Sequence, residues 1–214
     1  MRPATGFTII ELMITIVVLG IALAFAVPNM QTFIMNNRMT SNLNQLSSNL
    51  ALARNEAIKQ NMPVVVCPTG GGETCAEAGW EAGWLAYVDR DRDLTYDSPA
   101  PDCTDSSLAE GEDCMLLLQA RLEPPTTLSP ASGIPALIGY DGSGAAFCDA
   151  NEDGAPEPCA TGNTFFTICD PRGPEHARAL AVSRTGRVSI LHATPGGAAL
   201  SCPGEASESE ESEP

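Results

Sequence analysis

From Phe7 to Val27 the chain reads FTIIELMITIVVLGIALAFAV, an apolar run in which Glu11 carries the only charge. At 1.5 Å per residue such a run makes a helix of roughly 32 Å, enough to cross a bilayer core. Pro28 follows directly, and it predicts a lost helical hydrogen bond and a kink at that point. Beyond it the pattern turns from solid to periodic. Phe33, Leu43, Leu46, Leu50, Ala53, Ala57 and Ile58 fall at helical spacings among polar residues, which predicts an amphipathic helix packing one face on a domain. Met62-Pro63 ends it.

The remainder holds short apolar or β-branched pieces at 63–67, 84–88, 114–118, 165–169, 179–183 and 188–191, most of them bounded by Gly, Pro or Asp. No second long helical pattern occurs. The expected fold is therefore α+β: a long N-terminal helix, half membrane-type and half amphipathic, packed on an antiparallel β-sheet head with disulfide-bonded loops. The expected divisions are 1–6 as leader, 7–28 as apolar helix, 29–62 as its amphipathic half, 63–203 as head and 204–214 as tail. That tail holds five glutamates and no bulky apolar residue, so it is expected to be disordered.

Charge narrows the partners. The chain has 27 acidic and 11 basic residues; without Arg2 and Glu11 the rest stands at 26 against 10, still a net −16. Such a surface repels phosphate backbones and anionic lipids in general. All eight cysteines lie outside the apolar run: Cys67, Cys75, Cys103, Cys114, Cys148, Cys159, Cys169 and Cys202. An even count in an acidic, loop-rich head points to disulfides made in an oxidising compartment. Zinc fits poorly, with no Cys-x-x-Cys pair and only His176 and His192. Eight cysteines permit about 105 pairings. Nearest-neighbour pairing (67–75, 103–114, 148–159, 169–202) is the expectation, because each interval has the look of a local loop.

Glu11 demands an explanation, since a carboxylate in hydrocarbon is costly and usually functional. A secretory signal peptide wants a basic leader, a shorter core and a small-x-small cleavage site. Here Ala26-Val27-Pro28 leads straight into a helical pattern. An ordinary single-pass anchor leaves Glu11 idle. GFTIIE at 6–11 resembles the processing motif of type IV prepilins. The resemblance implies cleavage between Gly6 and Phe7 by prepilin peptidase, N-methylation of Phe7, and an assembly contact between Glu11 and the Phe7 amine of a neighbouring subunit. It also implies other pilins and an inner-membrane assembly platform as partners. The chain would pass once through the inner membrane with its head in the periplasm, and then enter a filament.

LALARNEAIKQNMPVVVC at 50–67, WEAGWLAYVDRDRD at 80–93, and FTICDPRG and LAVSRTGRVSI nearer the C-terminus resemble the GspH/FimT group of minor pilins and pseudopilins. The implied function is structural: a minor pilin that enters or primes a filament. The alternatives are a type II secretion pseudopilin, a DNA-binding minor pilin of natural transformation, and an anchored calcium-dependent adhesin. Some relatives in this group use a Gly-Arg-x-Arg motif on DNA. This chain keeps Gly186 and Arg187, but Ser189 replaces the second arginine; Arg172, Arg178 and Arg184 lie near. Arg184 and Arg187 are the candidate DNA contacts, and exposed arginines on a hairpin turn are the plainer reading.

Asp89-Arg-Asp-Arg-Asp93 begins like a calcium loop, but Leu94 stands where glycine belongs and Ala100 where the closing acid belongs. Asp149, Asn151, Asp153 and Gly154 match better, with Ala160 again in the closing position. A solvated acidic turn is the favoured reading of both, so no cofactor is expected beyond weak calcium at the second. No enzyme signal survives. Ser143 lacks a nucleophile elbow, and His176 and His192 read as surface residues. Trp80, Trp84, Tyr87 and Phe147 read as core aromatics.

Overall fold

The computed structural model describes residues 8–76, 78–96, 103, 112–130, 137–148, 157–159 and 164–203. The leader with Gly6 and Phe7, the Asp149–Asp153 loop and the acidic tail lie outside the described residues. One helix, α1, runs Ile9–Gln60, 52 residues, and continues through Pro28. Two compact units divide the chain, Met1–Thr40 and Ser41–Pro214.

In the first unit the large apolar side chains from Ile9 to Ile34 are exposed, Phe33 at 60 %. Phe33 was expected on a buried stripe, but it belongs to this unit, where nothing covers it. At Pro28 a side chain supplements the ladder: Asn29 Nδ2 donates to the Phe25 carbonyl at 2.9 Å.

In the second unit the periodic stripe is the buried one. Leu43, Leu46, Leu50, Ala53 and Ala57 are all at most 4 % exposed. Ile58 departs from the expectation and is half exposed, because one residue beyond Ala57 turns it about 100° off the stripe.

The head contains two antiparallel sheets where the strand pieces had suggested one. The first has the order β3-β2-β1-β5-β6-β7, from β1 (Val64–Pro68), β2 (Trp84–Val88), β3 (Cys114–Gln119), β5 (Ile138–Tyr140), β6 (Ala146–Cys148) and β7 (Glu157–Pro158). The second has the order β10-β9-β8-β4, from β4 (Thr127–Pro130), β8 (Phe165–Cys169), β9 (Arg178–Val182) and β10 (Val188–Leu191). β1 and β2 are buried at all five positions, which is why they read as continuous apolar runs rather than alternations. Trp80, on a 3-10 turn at Trp80–Ala82, meets Phe166 of β8 edge-on at 4.8 Å. That contact ties the turn leading into β2 to the second sheet.

The sulfurs are joined as Cys67–Cys75, Cys103–Cys114, Cys148–Cys159 and Cys169–Cys202, each cysteine with its sequence neighbour. Three of the four bridges close local loops. The last binds the end of β8 to the C-terminal segment, where Cys169, Ala177, Ala179 and Leu200 form a small core.

Candidate functional site

At its N-terminus α1 begins with a cap. Thr8 Oγ1 accepts the Glu11 backbone N–H at 3.3 Å, which satisfies one of the donors that every helix start leaves over. Thr8 and Glu11 thus stand in the Ser/Thr-x-x-Glu spacing of a capping box. The Glu11 side chain is exposed on a helix whose large apolar side chains from Ile9 to Ile34 are exposed as well. This helix is long and apolar enough to cross a membrane.

In the head, two hairpin turns from different sheets meet under one arginine of α1. Between β5 and β6, Asp141 Oδ1 accepts Ser143 N, Ser143 Oγ and Ala145 N, closing the turn on itself. Burial alone would raise the Asp141 carboxyl; the Ser143, Ala145 and Gly144 donors outweigh it and hold the group below the ordinary carboxylate range. Between β9 and β10, Gly186 N donates to Ser183 O and Ser183 N to Arg187 O. Arg54 reaches both turns, donating to the carbonyls of Gly144 and Thr185 at 2.9 and 3.0 Å.

The candidate DNA residues separate here. Arg184 and Arg187 flank the β9–β10 turn and are exposed. Arg172 is spent on Asp170, and Arg178 on the carbonyls of His176 and Ala177. Ser189 is exposed on β10, an edge strand. The structure therefore presents two of the four arginines, not a convergent cationic face.

Arg184 also lines a cavity of about 600 Å³ together with Asn61, Asp89, Arg92, Leu94 and Phe147. Among the described residues, Asn61, Arg92 and Leu94 are the non-glycine positions with positive φ, at 54°, 66° and 62°. All three line this cavity, and backbone held in that region stores strain.

Asp89 organises its wall. Its carboxylate is fully buried; Oδ1 accepts Arg92 N at 2.7 Å and Oδ2 accepts Leu94 N at 3.2 Å. Asp113, also fully buried, accepts Arg90 N at 2.9 Å. Carboxylate oxygens of Asp89, Asp91 and Asp113 lie within 4.8 Å of one another. Because Asp89 and Asp113 accept backbone N–H groups, this cluster reads as the clasp of a turn. Burial pushes the Asp89 carboxyl up to about 6, against the pull of the two amides and with a further push from Asp91 and Asp93. Burial likewise raises the Tyr87 phenol, whose hydroxyl donates to Leu94 O at 2.7 Å.

Three of these residues escaped the sequence reading. Asp113 sits beside a cysteine in an acidic stretch, and only the β2–β3 register, Val88 opposite Cys114, brings it next to Asp89. Arg54 is a polar position on an amphipathic helix, with no local mark of its two distant acceptors. Thr8 carried a legible signal, a threonine three residues before Glu11 at the start of an apolar run.

Two family models match: that of the prokaryotic N-terminal methylation motif over residues 1–27, and that described as Type II transport protein GspH over residues 42–186. No curated protein sequence matches. Two solved structures of the type IV minor pilin FimU from Pseudomonas aeruginosa PAO1 are similar. The P21 crystal form has TM-score 0.50 at 17 % identity over 79 % of this chain and 98 % of that one. The P65 form has 0.44 at 16 %, over 76 % and 98 %. At that identity the first speaks for the fold. The GspH match covers more than half of the sequence, behind a methylation motif and on a minor-pilin fold. The chain therefore belongs to the GspH family, as a structural, non-enzymatic minor pilin or pseudopilin of GspH/FimT type that assembles with other pilins in a filament.

Proposed function

We propose that this chain is a minor subunit of a type IV pilus, cleaved between Gly6 and Phe7 by prepilin peptidase and drawn from the inner membrane into the filament through its apolar helix. The head then faces the periplasm before assembly. The observation that carries this reading is the Gly-Phe-x-x-x-Glu start joined to a helix whose apolar side chains are exposed from Ile9 to Ile34. A free α-amino group titrates near ~8 and is mostly charged at neutral pH. Glu11, four residues along from that amine in the sequence, neutralises its counterpart on a neighbouring subunit, so that two charges costly in hydrocarbon offset each other.

The test is Glu11→Val in the full chain. Membrane insertion and a mature N-terminus at methylated Phe7 are expected to persist, while the subunit disappears from sheared filaments. Undiminished recovery in those filaments would sink the assembly role. N-terminal sequencing that begins at Met1 in a peptidase-competent cell would sink the processing.

The GspH family match supports a second reading, a type II secretion pseudopilin. Deleting the gene separates the two: loss of surface pili supports the first, and retention of normally secreted proteins in the periplasm supports the second. Exposure of Arg184 and Arg187, beside the kept Gly186-Arg187 pair, speaks in favour of DNA. A mobility shift of the full chain that weakens steeply with salt would support it. No shift at low salt would remove it.

A further inference from the structure

We propose that the acidic tail of this chain, residues 204–214, docks on its own head beside the β9–β10 turn, its carboxylates held by Arg184 and Arg187, with Arg92 as a third cation on the wall of the adjoining cavity. The three arginines are exposed, and among the described residues their side chains have no hydrogen bond or ion pair. Arg92 and Arg184 line the same cavity of about 600 Å³, and Arg187 stands on the turn that carries Arg184. A chain with 27 acidic and 11 basic residues offers a surplus of partners. Three unspent guanidinium groups in one neighbourhood therefore need an occupant.

The tail has the complementary charge. Glu205, Glu208, Glu210, Glu211 and Glu213 occur there with no cation among them and no bulky apolar side chain, so charge is what it has to bind with. Guanidinium groups suit this, because their planar forks take a carboxylate by two bonds at once. The carboxylates of the cavity do not pre-empt the site. Asp89 is buried and accepts the backbone N–H groups of Arg92 and Leu94, while Asp141 Oδ1 closes on Ser143 and Ala145. Asp91 and Asp93 flank Arg92 in the sequence and dilute its pull. Arg184 and Arg187 thus carry the larger share.

The place where the described chain ends makes the contact reachable. Pro203 lines a second cavity with Ser129, Pro130, Phe165 and Thr167. Phe165 stands opposite Ala181 in β9, and Arg184 follows three residues later. Those three residues cover about 10 Å, and with the width of the second cavity the gap from Pro203 to Arg184 is on the order of 20 Å. The segment 204–214 spans up to ~36 Å when extended. Several of its glutamates can therefore meet the turn while Cys202 stays bridged to Cys169.

Cleavage by a glutamate-specific protease tests this, comparing the tail of the full chain in neutral detergent micelles with the free peptide GEASESEESEP. At low salt the tail should be cut about fivefold more slowly than the peptide, the scale of a few exposed ion pairs acting together. At about 0.5 M salt, where screening is short-ranged, the two rates should converge. Arg184→Ala combined with Arg187→Ala should abolish the protection, and the corresponding pair of lysine substitutions should keep most of it. Arg121→Ala, at another exposed arginine, should change nothing. Equal rates at low salt would overturn the docking, as would protection that survives high salt or the double alanine variant. Protection that fades on dilution would overturn it too, because the bound tail would then belong to a second copy.

Discussion

Arg54 donates its Nε–H to the carbonyl oxygen of Gly144 at 2.9 Å, and with a second nitrogen it holds Thr185 O, so one helical side chain fastens a hairpin of each sheet. Ala146 N donates to Arg184 O at 3.0 Å beneath the same clamp. Truncation to Arg54→Ala removes two charge-assisted bonds in a half-buried place, and we expect a loss of about 1–3 kcal/mol. Arg54→Lys keeps the charge but cannot present the planar fork, so it should recover only part of that. Urea unfolding followed by the fluorescence of the buried Trp80 and Trp84 reads both.

Gly186 shows what the clamp rests on. Its φ is +76°, and a Cβ there would stand 2.2 Å from Gly144 O and 2.7 Å from Arg54 Nε. Gly186→Ala should therefore cost about 2–4 kcal/mol, conformational strain plus a backbone clash. Gly197 has φ +85° with nothing within 4 Å of an added Cβ. Gly197→Ala should cost only about 1 kcal/mol, the conformational part alone. Equal losses in thermal unfolding would show that the packing under Arg54 is dispensable. The glycine of the Gly-Arg pair near the C-terminus is thus explained by hairpin packing, whatever Arg187 touches.

Legibility followed how local each feature is. The stripe from Leu43 to Ala57 and the apolar runs of β2, β8 and β10 declared themselves because each is longer than its own period. β5, β6 and β7 have two or three residues each, too few for any alternation to show. The division into two sheets depends on pairings such as Val64 with Tyr140 and Thr127 with Cys169, which no neighbouring residue encodes. For the same reason Glu11 was readable from six consecutive letters, whereas Asp113 and Arg54 were not.

The Cys169–Cys202 bridge closes a 33-residue interval and the Cys67–Cys75 bridge one of 8. On loop-entropy grounds, Cys202→Ser should cost about 3–4 kcal/mol and Cys67→Ser about 1 kcal/mol less. Only the first frees Leu200 from the small core it shares with Cys169, Ala177 and Ala179. Limited proteolysis should accordingly release the segment after Leu191 in Cys202→Ser and leave it intact in Cys67→Ser. Equal resistance in both variants would argue that packing, not the bridge, holds that segment.

Stability should peak in mildly acidic solution, because the head holds carboxyls of opposite tendency, the partly exposed Asp141 and Asp170 and the buried Asp89. Asp141 and Asp170 lie below the ordinary carboxylate range despite burial that alone would raise them, Asp141 through the donors of its own turn and Asp170 through Arg172. Their contribution is present above the unfolded carboxylate value and is lost as pH falls through their lower folded values. Asp89 has the other sign. Raised from 3.8 to about 6 by burial, it binds its proton more tightly folded than unfolded, so its contribution is complete at low pH and is lost as pH rises through about 6. The fall across that upper limb should be on the order of 2–3 kcal/mol. Melting temperatures from pH 3 to 8 should therefore rise and then decline. Asp89→Asn should flatten the upper limb and spare the lower, while Arg172→Ala should do the reverse, because it strips Asp170 of the partner that keeps it ionised. A monotonic rise to pH 8 in the parent chain would mean that Asp89 reaches solvent more freely than its burial implies.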